Sequence, residues 1–144
     1  MTVAAILRQK GSNEVATVKA GATLEEAVRM LAAKRIGAVV VSADGARVDG
    51  VLSERDVMNA LAAQGGGCLE QSVASAMSSP VETCTLEDRA NDILRRMTDG
   101  RFRHLPVMLD GRLHALVSIG DVVKYRISEI EMERTALEDM VKGF

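Results

Sequence analysis

Aromatic residues are almost absent from this chain of 144 residues, which has no tryptophan, one tyrosine and two phenylalanines. The core must therefore be built from Val, Leu, Ile, Ala and Met. So few rings also argue against a platform on which nucleic-acid bases stack. The chain is nevertheless long enough to fold as one compact domain, since a domain of this size buries roughly two-thirds of the surface of its unfolded chain.

The sequence also lacks an excess of charge of one sign and any long apolar run. Its formal net charge is -2, so no positive field attracts a phosphate backbone or an anionic membrane. The apolar stretch at residues 3–7 is too short for the core of a signal peptide, and no stretch approaches the length of a membrane span. These absences predict a cytoplasmic protein that binds neither nucleic acid nor membranes.

Cysteine and histidine are scarce as well. Cys68 and Cys84 lie outside any CxxC or metal-ligand spacing, which predicts reduced, packed thiols. Two histidines and no glycine-rich phosphate loop leave no set of nucleophile, base and oxyanion donor. Asp56 and Asp121 could hold a metal in principle, but no histidine lies at ligand spacing near them. The chain is therefore predicted to be neither an enzyme nor a metal-binding protein.

What the chain does contain is a second copy of itself. With the offset of 66 residues that separates Val15 from Val81, identical pairs recur: Val15, Thr17, Arg35, Val41, Asp44 and Gly45 match Val81, Thr83, Arg101, Val107, Asp110 and Gly111. With the offset of 65 that separates Ser53 from Ser118, Asp56 and Val57 match Asp121 and Val122. Similarity at a fixed offset indicates two copies of one supersecondary unit.

Both halves have the same predicted order of strand, helix, hairpin and helix. In the first half these elements are residues 15–18, 24–34, 38–41 with 48–52, and about 54–63. In the second half they are residues 81–84, 90–97, 105–109 with 113–117, and a helix from near Ile119. Short helical segments at residues 3–7 and 73–77 precede the copies, and Gly65-Gly66-Gly67 separates them.

We therefore predict a mixed α/β (α+β) fold of two repeats related by an approximate two-fold axis, each a small three-stranded sheet with two helices. Residues 1–66 form the first repeat, residues 67–127 the second, and residues 128–144 extend the last helix. The repeats pack as one module because each is too small to bury both faces of its sheet. That packing creates a cleft between similar surfaces, so a ligand site there comes in two related copies.

Each copy carries Ser-x-x-Asp between its last strand and the following helix, at Ser53 and Asp56 and again at Ser118 and Asp121. Taken once, this motif indicates a helix cap. A helix start also offers free amides to a phosphate, and a carboxylate can accept both hydrogens of a ribose diol. Two such motifs facing a shared cleft indicate a nucleotide site, and the capping role is compatible with it.

This order of elements, closed in each copy by apolar-apolar-Ser-x-x-Asp, resembles a tandem pair of cystathionine-beta-synthase (CBS) domains. The run Phe102-Arg103-His104-Leu105-Pro106-Val107 is similar to the second-strand signature of that family. The resemblance covers roughly residues 3–126. It implies a regulatory, energy-sensing module whose cleft binds an adenosine ligand such as AMP, ADP, ATP, NAD or S-adenosylmethionine, without a metal.

The resemblance also implies roles for individual residues. Asp56 and Asp121 would hold ribose hydroxyls, and Ser53 and Ser118 would contact ribose or phosphate. The adenine would lie against the first strand of each copy, where backbone hydrogen bonds and apolar contacts come from Val15, Thr17, Val81 and Thr83.

Arg103 and His104 distinguish the two copies, because their counterparts are Gly37 and Ala38. In the family such a pair faces the phosphates of the ligand, which implies two unequal sites. Alternatively, Arg103 pairs with surface acids and His104 is a half-buried structural residue. Arg55, inside the first Ser-x-x-Asp, either adds charge to the site or points to solvent.

The last helix has an apolar face that continues beyond the end of the first copy, to about residue 142. Its members are Val122, Val123, Ile127, Ile130, Leu137 and Val141. This face packs on its own domain or on a second subunit, and the family's habit of forming two-chain discs implies a homodimer. The protein that such a module regulates is not identified by the sequence. The competing hypothesis is an interaction scaffold whose cleft is filled by side chains.

Overall fold

The computed structural model describes residues 1–143. The first half contains α1 (Val3–Lys10), β1 (Thr17–Val18), α2 (Leu24–Lys34), β2 (Ala38–Val41), β3 (Gly50–Ser53) and α3 (Glu54–Gln64). Two 3-10 helices, Gly65–Glu70 and Val73–Ser75, follow at the boundary between the copies. The second half contains α4 (Ala90–Gly100), β4 (His104–Leu109), β5 (Arg112–Ser118) and α5 (Ile119–Val141). The mixed α/β fold with paired repeats and a long C-terminal helix is confirmed.

The first copy forms a three-stranded sheet. Strand β1 runs parallel to β2, and β2 is antiparallel to β3 with Ala38 opposite Ser53. All four residues of β2 are buried, as expected for a continuous apolar run covered on both faces. The register places Ser53 at the end of the sheet, where α3 begins.

The second copy has a smaller sheet than predicted. Strands β4 and β5 pair antiparallel with His104 opposite Ser118, but residues 81–84 contribute only a single bridge from Cys84 to Val107. In the first copy the Val40 N–H donates to the Ala16 carbonyl, but the equivalent of Val40 in β4 is Pro106, which has no N–H to extend the pairing before Cys84. The predicted third strand is therefore corrected to a two-stranded sheet with one bridge.

Two apolar cores stabilise the module. The segment that precedes each copy packs into the core of the other copy. Helix α1 packs into the core of the second copy, where Val3 is fully buried and its N–H donates to the Asp88 carbonyl at 2.8 Å. Val73 enters the core of the first copy, and its N–H donates to the Ala22 carbonyl at 2.8 Å. These contacts of the two preceding segments link the repeats to each other.

Helix α5 begins at the Ser118 cap and continues for 23 residues. Its first turns pack against α1, α4 and β5, with Val122 fully buried. From Ile130 to the end of the helix every residue is exposed. The predicted continuation to about residue 142 is confirmed to within one residue.

Candidate functional site

Both Ser-x-x-Asp motifs form complete capping boxes. The Asp56 N–H donates to Ser53 Oγ at 3.3 Å, and the Ser53 N–H donates to Asp56 Oδ2 at 2.9 Å. In the second copy the Asp121 N–H donates to Ser118 Oγ at 3.1 Å, and the Ser118 N–H donates to Asp121 Oδ2 at 2.9 Å. The predicted capping role is therefore confirmed in both copies, and each cap uses Oδ2 of its carboxylate.

A cleft of about 560 Å³ lies between the copies at the start of α5, a volume typical of small-ligand sites. One side is the chain before β1, including Val15 and Ala16. The opposite side is the start of α5, with Ser118 and Asp121. The remaining lining residues are Lys10, Ser12, Glu14, Lys34, Arg35, Ile36, Gly37, Ala38, His104 and Leu116. The structure thus brings the first-strand segment of one copy to the Ser-x-x-Asp of the other.

Three basic residues line this cleft that the sequence analysis did not place in a binding site. Lys10 donates from Nζ to Asp121 Oδ2 and to the Leu116 carbonyl, both at 3.0 Å. Lys34 and Arg35 line the cleft at the C-terminal end of α2, where Arg35 adopts the left-handed conformation at φ 53°. The repeat contained a signal for Arg35, since it matches Arg101, but no local pattern indicated that Lys10 crosses to the other copy.

His104 lies in the cleft beside the first copy. A Cβ added to Gly37 would lie 3.3 Å from His104 Nε2, so the absent side chain at Gly37 makes room for the imidazole. Burial lowers the pKa of His104, and the carboxylates of Asp121 and Glu54 oppose this effect only in part. The imidazole is therefore mainly neutral at pH 7.

Arg103 does not accompany His104 into this cleft. Its side chain is exposed, and it is not among the lining residues. Its carbonyl accepts a hydrogen bond from the Ile119 N–H at 2.8 Å, which fixes the backbone beside the start of α5. Of the two residues that the sequence treated as one phosphate-binding pair, only His104 therefore lines the cleft.

The remaining predicted residues lie elsewhere. Thr17 is half-buried in β1, just beyond the part of the chain that lines the cleft, and Thr83 and Arg55 are exposed. None of these three lines the cleft, nor do Ser53, Asp56 and Val81.

The Asp56 carboxylate is satisfied by neutral donors from its own surroundings. Ser78 Oγ donates to Asp56 Oδ1 and Ser53 Oγ donates to Asp56 Oδ2, each at 3.0 Å. A Cβ at Gly50 would approach the Ser78 carbonyl to 2.7 Å, so the chain after the second 3-10 helix packs directly on β3. The two acidic positions are thus unequal: Asp121 faces a cleft and a lysine, whereas Asp56 is bound to serines.

The two cysteines are buried and unpaired, as predicted. Burial raises the pKa of Cys84 to about 12, so its thiol stays protonated at neutral pH. Within residues 1–143, no three His, Cys, Asp or Glu side chains cluster closely enough to hold a metal ion. No helix in the same range combines the length and apolar character needed to span a bilayer.

Comparison with known proteins matches both halves of the chain to one family. The model of the CBS domain matches twice, over residues 5–63 and 73–128. The mitochondrial CBS domain-containing protein CBSX3 of Arabidopsis thaliana is 31% identical over 125 residues, which are 84% of this chain and 61% of that protein. The chain thus spans less than two thirds of that curated relative.

Two solved structures share the fold. The crystal structure of a CBS-domain-containing protein from Agrobacterium tumefaciens has a TM-score of 0.84 and 42% identity, over 88% of this chain and 99% of that one. A CBS-domain protein from Pyrobaculum aerophilum complexed with AMP has a TM-score of 0.72 and 26% identity, over 84% and 89%. Because the family model covers each repeat in turn, the chain belongs to the CBS-domain family and contains two copies of the domain.

Proposed function

We propose that the cleft binds an adenine nucleotide and that the module is regulatory. The observation that carries the proposal is the convergence in one cleft of a carboxylate at a helix start, an apolar wall and several basic side chains. Asp121 keeps Oδ1 outside its capping box, so the carboxylate has acceptor capacity for the diol of a ribose. The AMP complex of the Pyrobaculum aerophilum relative supports the choice of ligand.

The adenine would lie against the chain that precedes β1. The pairing of this strand with its neighbour begins at Ala16, whose carbonyl accepts from the Val40 N–H at 3.0 Å. Val15 lies before that bond and lines the cleft, so its peptide groups are outside the strand pairing and available to a base. Ile36 supplies apolar surface on the same cleft. Backbone groups, rather than a polar side chain, would then form the hydrogen bonds to the adenine.

The phosphates would lie toward the end of α2. Lys34 and Arg35 are both exposed there and line the cleft, and neither forms a salt bridge within residues 1–143. His104 becomes a third cation when a phosphate stabilises its protonated form. Glu14 and, beside His104, Glu54 oppose an anion here besides Asp121. The cleft has four cationic side chains once His104 is protonated, against these three acids, which favours a phosphorylated ligand over a nucleoside.

A regulatory role fits this site better than catalysis. The two hydroxyls of the cleft, Ser12 and Ser118, each accept a hydrogen bond from a backbone N–H. Neither is hydrogen-bonded to His104 in the part of the chain that the structure describes, so no nucleophile is paired with a base. Ligand binding would instead act by favouring one arrangement of the module over another.

Helix α1 offers a route from the cleft to α5. Lys10 contacts Asp121 inside the cleft, and the neighbouring Gln9 donates from Nε2 to Ser128 Oγ on α5 at 3.0 Å. A ligand that shifts the end of α1 through Lys10 would also shift Gln9 and its contact with α5. A protein partner bound to α5 would detect the change.

We propose that a second copy of the chain covers the exposed face of α5. Apolar residues recur at alternating steps of four and three, the spacing of a coiled coil. They are Val123, Ile127, Ile130, Leu137 and Val141, with exposures of 45%, 52%, 53%, 62% and 85%. Arg134 fills the one remaining position of the stripe, where it pairs with Glu138 of its own helix at 3.1 Å.

The position of Arg134 favours an antiparallel pairing. Parallel helices would stack the two Arg134 side chains against each other, which is unfavourable. An antiparallel pair centred near residue 132 instead places Arg134 against the partner subunit's Ile130, next to the glutamates of the partner helix. The same register matches Ile127 with the partner subunit's Leu137, and Val123 with the partner subunit's Val141. All the stripe residues are then covered.

A titration of the melting temperature tests the proposed ligand class. AMP, ATP, NAD and S-adenosylmethionine are added separately, with CMP as a control that carries the same sugar and phosphate without a purine. A ligand of the folded state raises the melting temperature with the logarithm of its concentration. An adenine-specific rise supports the proposal. A flat response to all four ligands would leave the interaction scaffold as the function.

A further inference from the structure

Lys10 forms an ion pair with Asp121, the carboxylate that is proposed to bind the ribose of the ligand. Its ammonium donates to Asp121 Oδ2, the same oxygen that accepts the capping N–H of Ser118, and to the Leu116 carbonyl. The Lys10 and Asp121 side chains are 35% and 21% exposed, so the pair lies at the edge of the cleft and is reached by solvent. A ribose diol that binds this carboxylate has to share it with Lys10 or displace the ammonium.

The lysine side chain has freedom to move. It is the last residue of α1, and it is followed by Gly11, which ends the helix in the left-handed conformation at φ 79°. The Lys10 side chain is 35% exposed, so part of it contacts solvent and is not packed by the protein. An ammonium has three N–H donors, of which two are engaged in the contacts above. Lys10 can therefore turn toward a second anion without unfolding α1.

Among residues 1–143, no lysine forms a salt bridge with Asp56, the equivalent of Asp121 in the other copy. Asp56 Oδ1 accepts from the neutral hydroxyl of Ser78, which is the nearest equivalent of the Lys10 contact. A serine hydroxyl neither neutralises the carboxylate nor offers a cation to a phosphate. The charged contact thus distinguishes the cleft at Asp121 from the position at Asp56.

We propose that Lys10 determines ligand specificity. Its ammonium releases Asp121 and binds the phosphate when a nucleotide enters the cleft, which we call the exchange. This inference rests on the proposed function of the cleft. A phosphorylated ligand replaces the ion pair that it breaks, because its phosphate binds the released ammonium. An uncharged nucleoside competes with Lys10 for the same carboxylate and supplies no anion in return. Lys10 therefore selects nucleotides over adenosine by acting on both ends of the ligand.

Calorimetric titration of wild type and Lys10→Met with AMP and adenosine tests the exchange. In wild type, AMP should bind more tightly than adenosine. Lys10→Met should lower the ratio of the two affinities about tenfold, the effect of one hydrogen bond between charged groups. Adenosine should bind the variant at least as tightly as it binds wild type, because the ribose diol no longer competes with an ammonium for the Asp121 carboxylate. Lys10→Arg, which keeps the cation, should retain most of the preference.

Lys19→Met is the matched control, since it removes one exposed positive charge from outside the cleft lining. It should leave the affinity ratio unchanged, which separates a local contact from a general effect of net charge. An unchanged ratio in Lys10→Met, with both ligands still bound, would overturn the role of Lys10 and leave the nucleotide site intact. Failure of wild type to bind either ligand would overturn the nucleotide site and the exchange with it.

Discussion

The sharpest prediction compares the two acidic positions by the same substitution. Asp121→Asn and Asp56→Asn each keep the shape of the side chain and an oxygen that can accept the capping N–H. Each removes the negative charge. Only Asp121 lines the cleft, whereas Asp56 is enclosed by hydroxyl and amide donors of its own chain. The two variants should therefore differ in ligand binding while both remain folded.

The expected magnitudes follow from these contacts. Asp121→Asn loses a partly exposed ion pair with Lys10, which is worth at most about 1 kcal/mol of folding stability. It also loses the charge that strengthens the hydrogen bonds to the ribose diol, about 2 to 3 kcal/mol for the ligand. The dissociation constant for AMP should rise roughly 30-fold to 150-fold. Asp56→Asn should change it less than about threefold.

Isothermal titration calorimetry with AMP measures the dissociation constants, and urea unfolding verifies that both variants fold. Equal loss of affinity in the two variants would mean that both acids bind ligand, contrary to the asymmetry of the structure. Retention of full affinity by Asp121→Asn would refute the assignment of the ribose to Asp121.

Three further predictions concern other parts of the molecule. Burial lowers the pKa of His104, so the imidazole of the unfolded chain is protonated at a higher pH than that of the folded chain. The free energy of unfolding should therefore fall as the pH drops from about 6.5 toward the folded pKa. Urea unfolding at several pH values should show a weaker fall in His104→Gln, and an equal fall would contradict the buried position of His104. Ile130→Asp should convert a dimer to a monomer in sedimentation equilibrium, whereas Met132→Asp, on the same helix outside the stripe, should not; a wild-type monomer would exclude the proposed α5 pair. Cys84 should react with iodoacetamide only in denaturant, since its pKa is raised to about 12, and rapid labelling of the native protein would contradict its burial.

Elements defined by local signals were predictable from the sequence. Helix α2 has the predicted bounds because its apolar spacing indicates them. The structure adds a cap, in which Thr23 Oγ1 accepts from the Glu26 N–H at 3.2 Å. The start of α5 follows in the same way from the capping box at Ser118. The short pairing at Cys84 was not predicted, although the sequence holds a signal for it, since Pro106 in β4 has no N–H to donate to a longer first strand.

The candidate site was predictable only in part. The repeat and its resemblance indicated Asp121, Ser118 and the first-strand segment, and the structure brings these together in one cleft. Lys10 could not be found in the same way, since 111 residues separate it from Asp121. Its position follows from the packing of α1 on the opposite copy, and that packing has no local signature in the sequence.

A crystal structure of the protein grown with saturating AMP tests the central claim most directly. The account predicts one nucleotide per chain in the cleft at the start of α5, with both ribose hydroxyls within hydrogen-bond distance of the Asp121 carboxylate. The phosphate should lie on the side of Lys34 and Arg35. An empty cleft in which Lys10 still donates to Asp121, or a nucleotide held by Asp56 instead, would contradict the account.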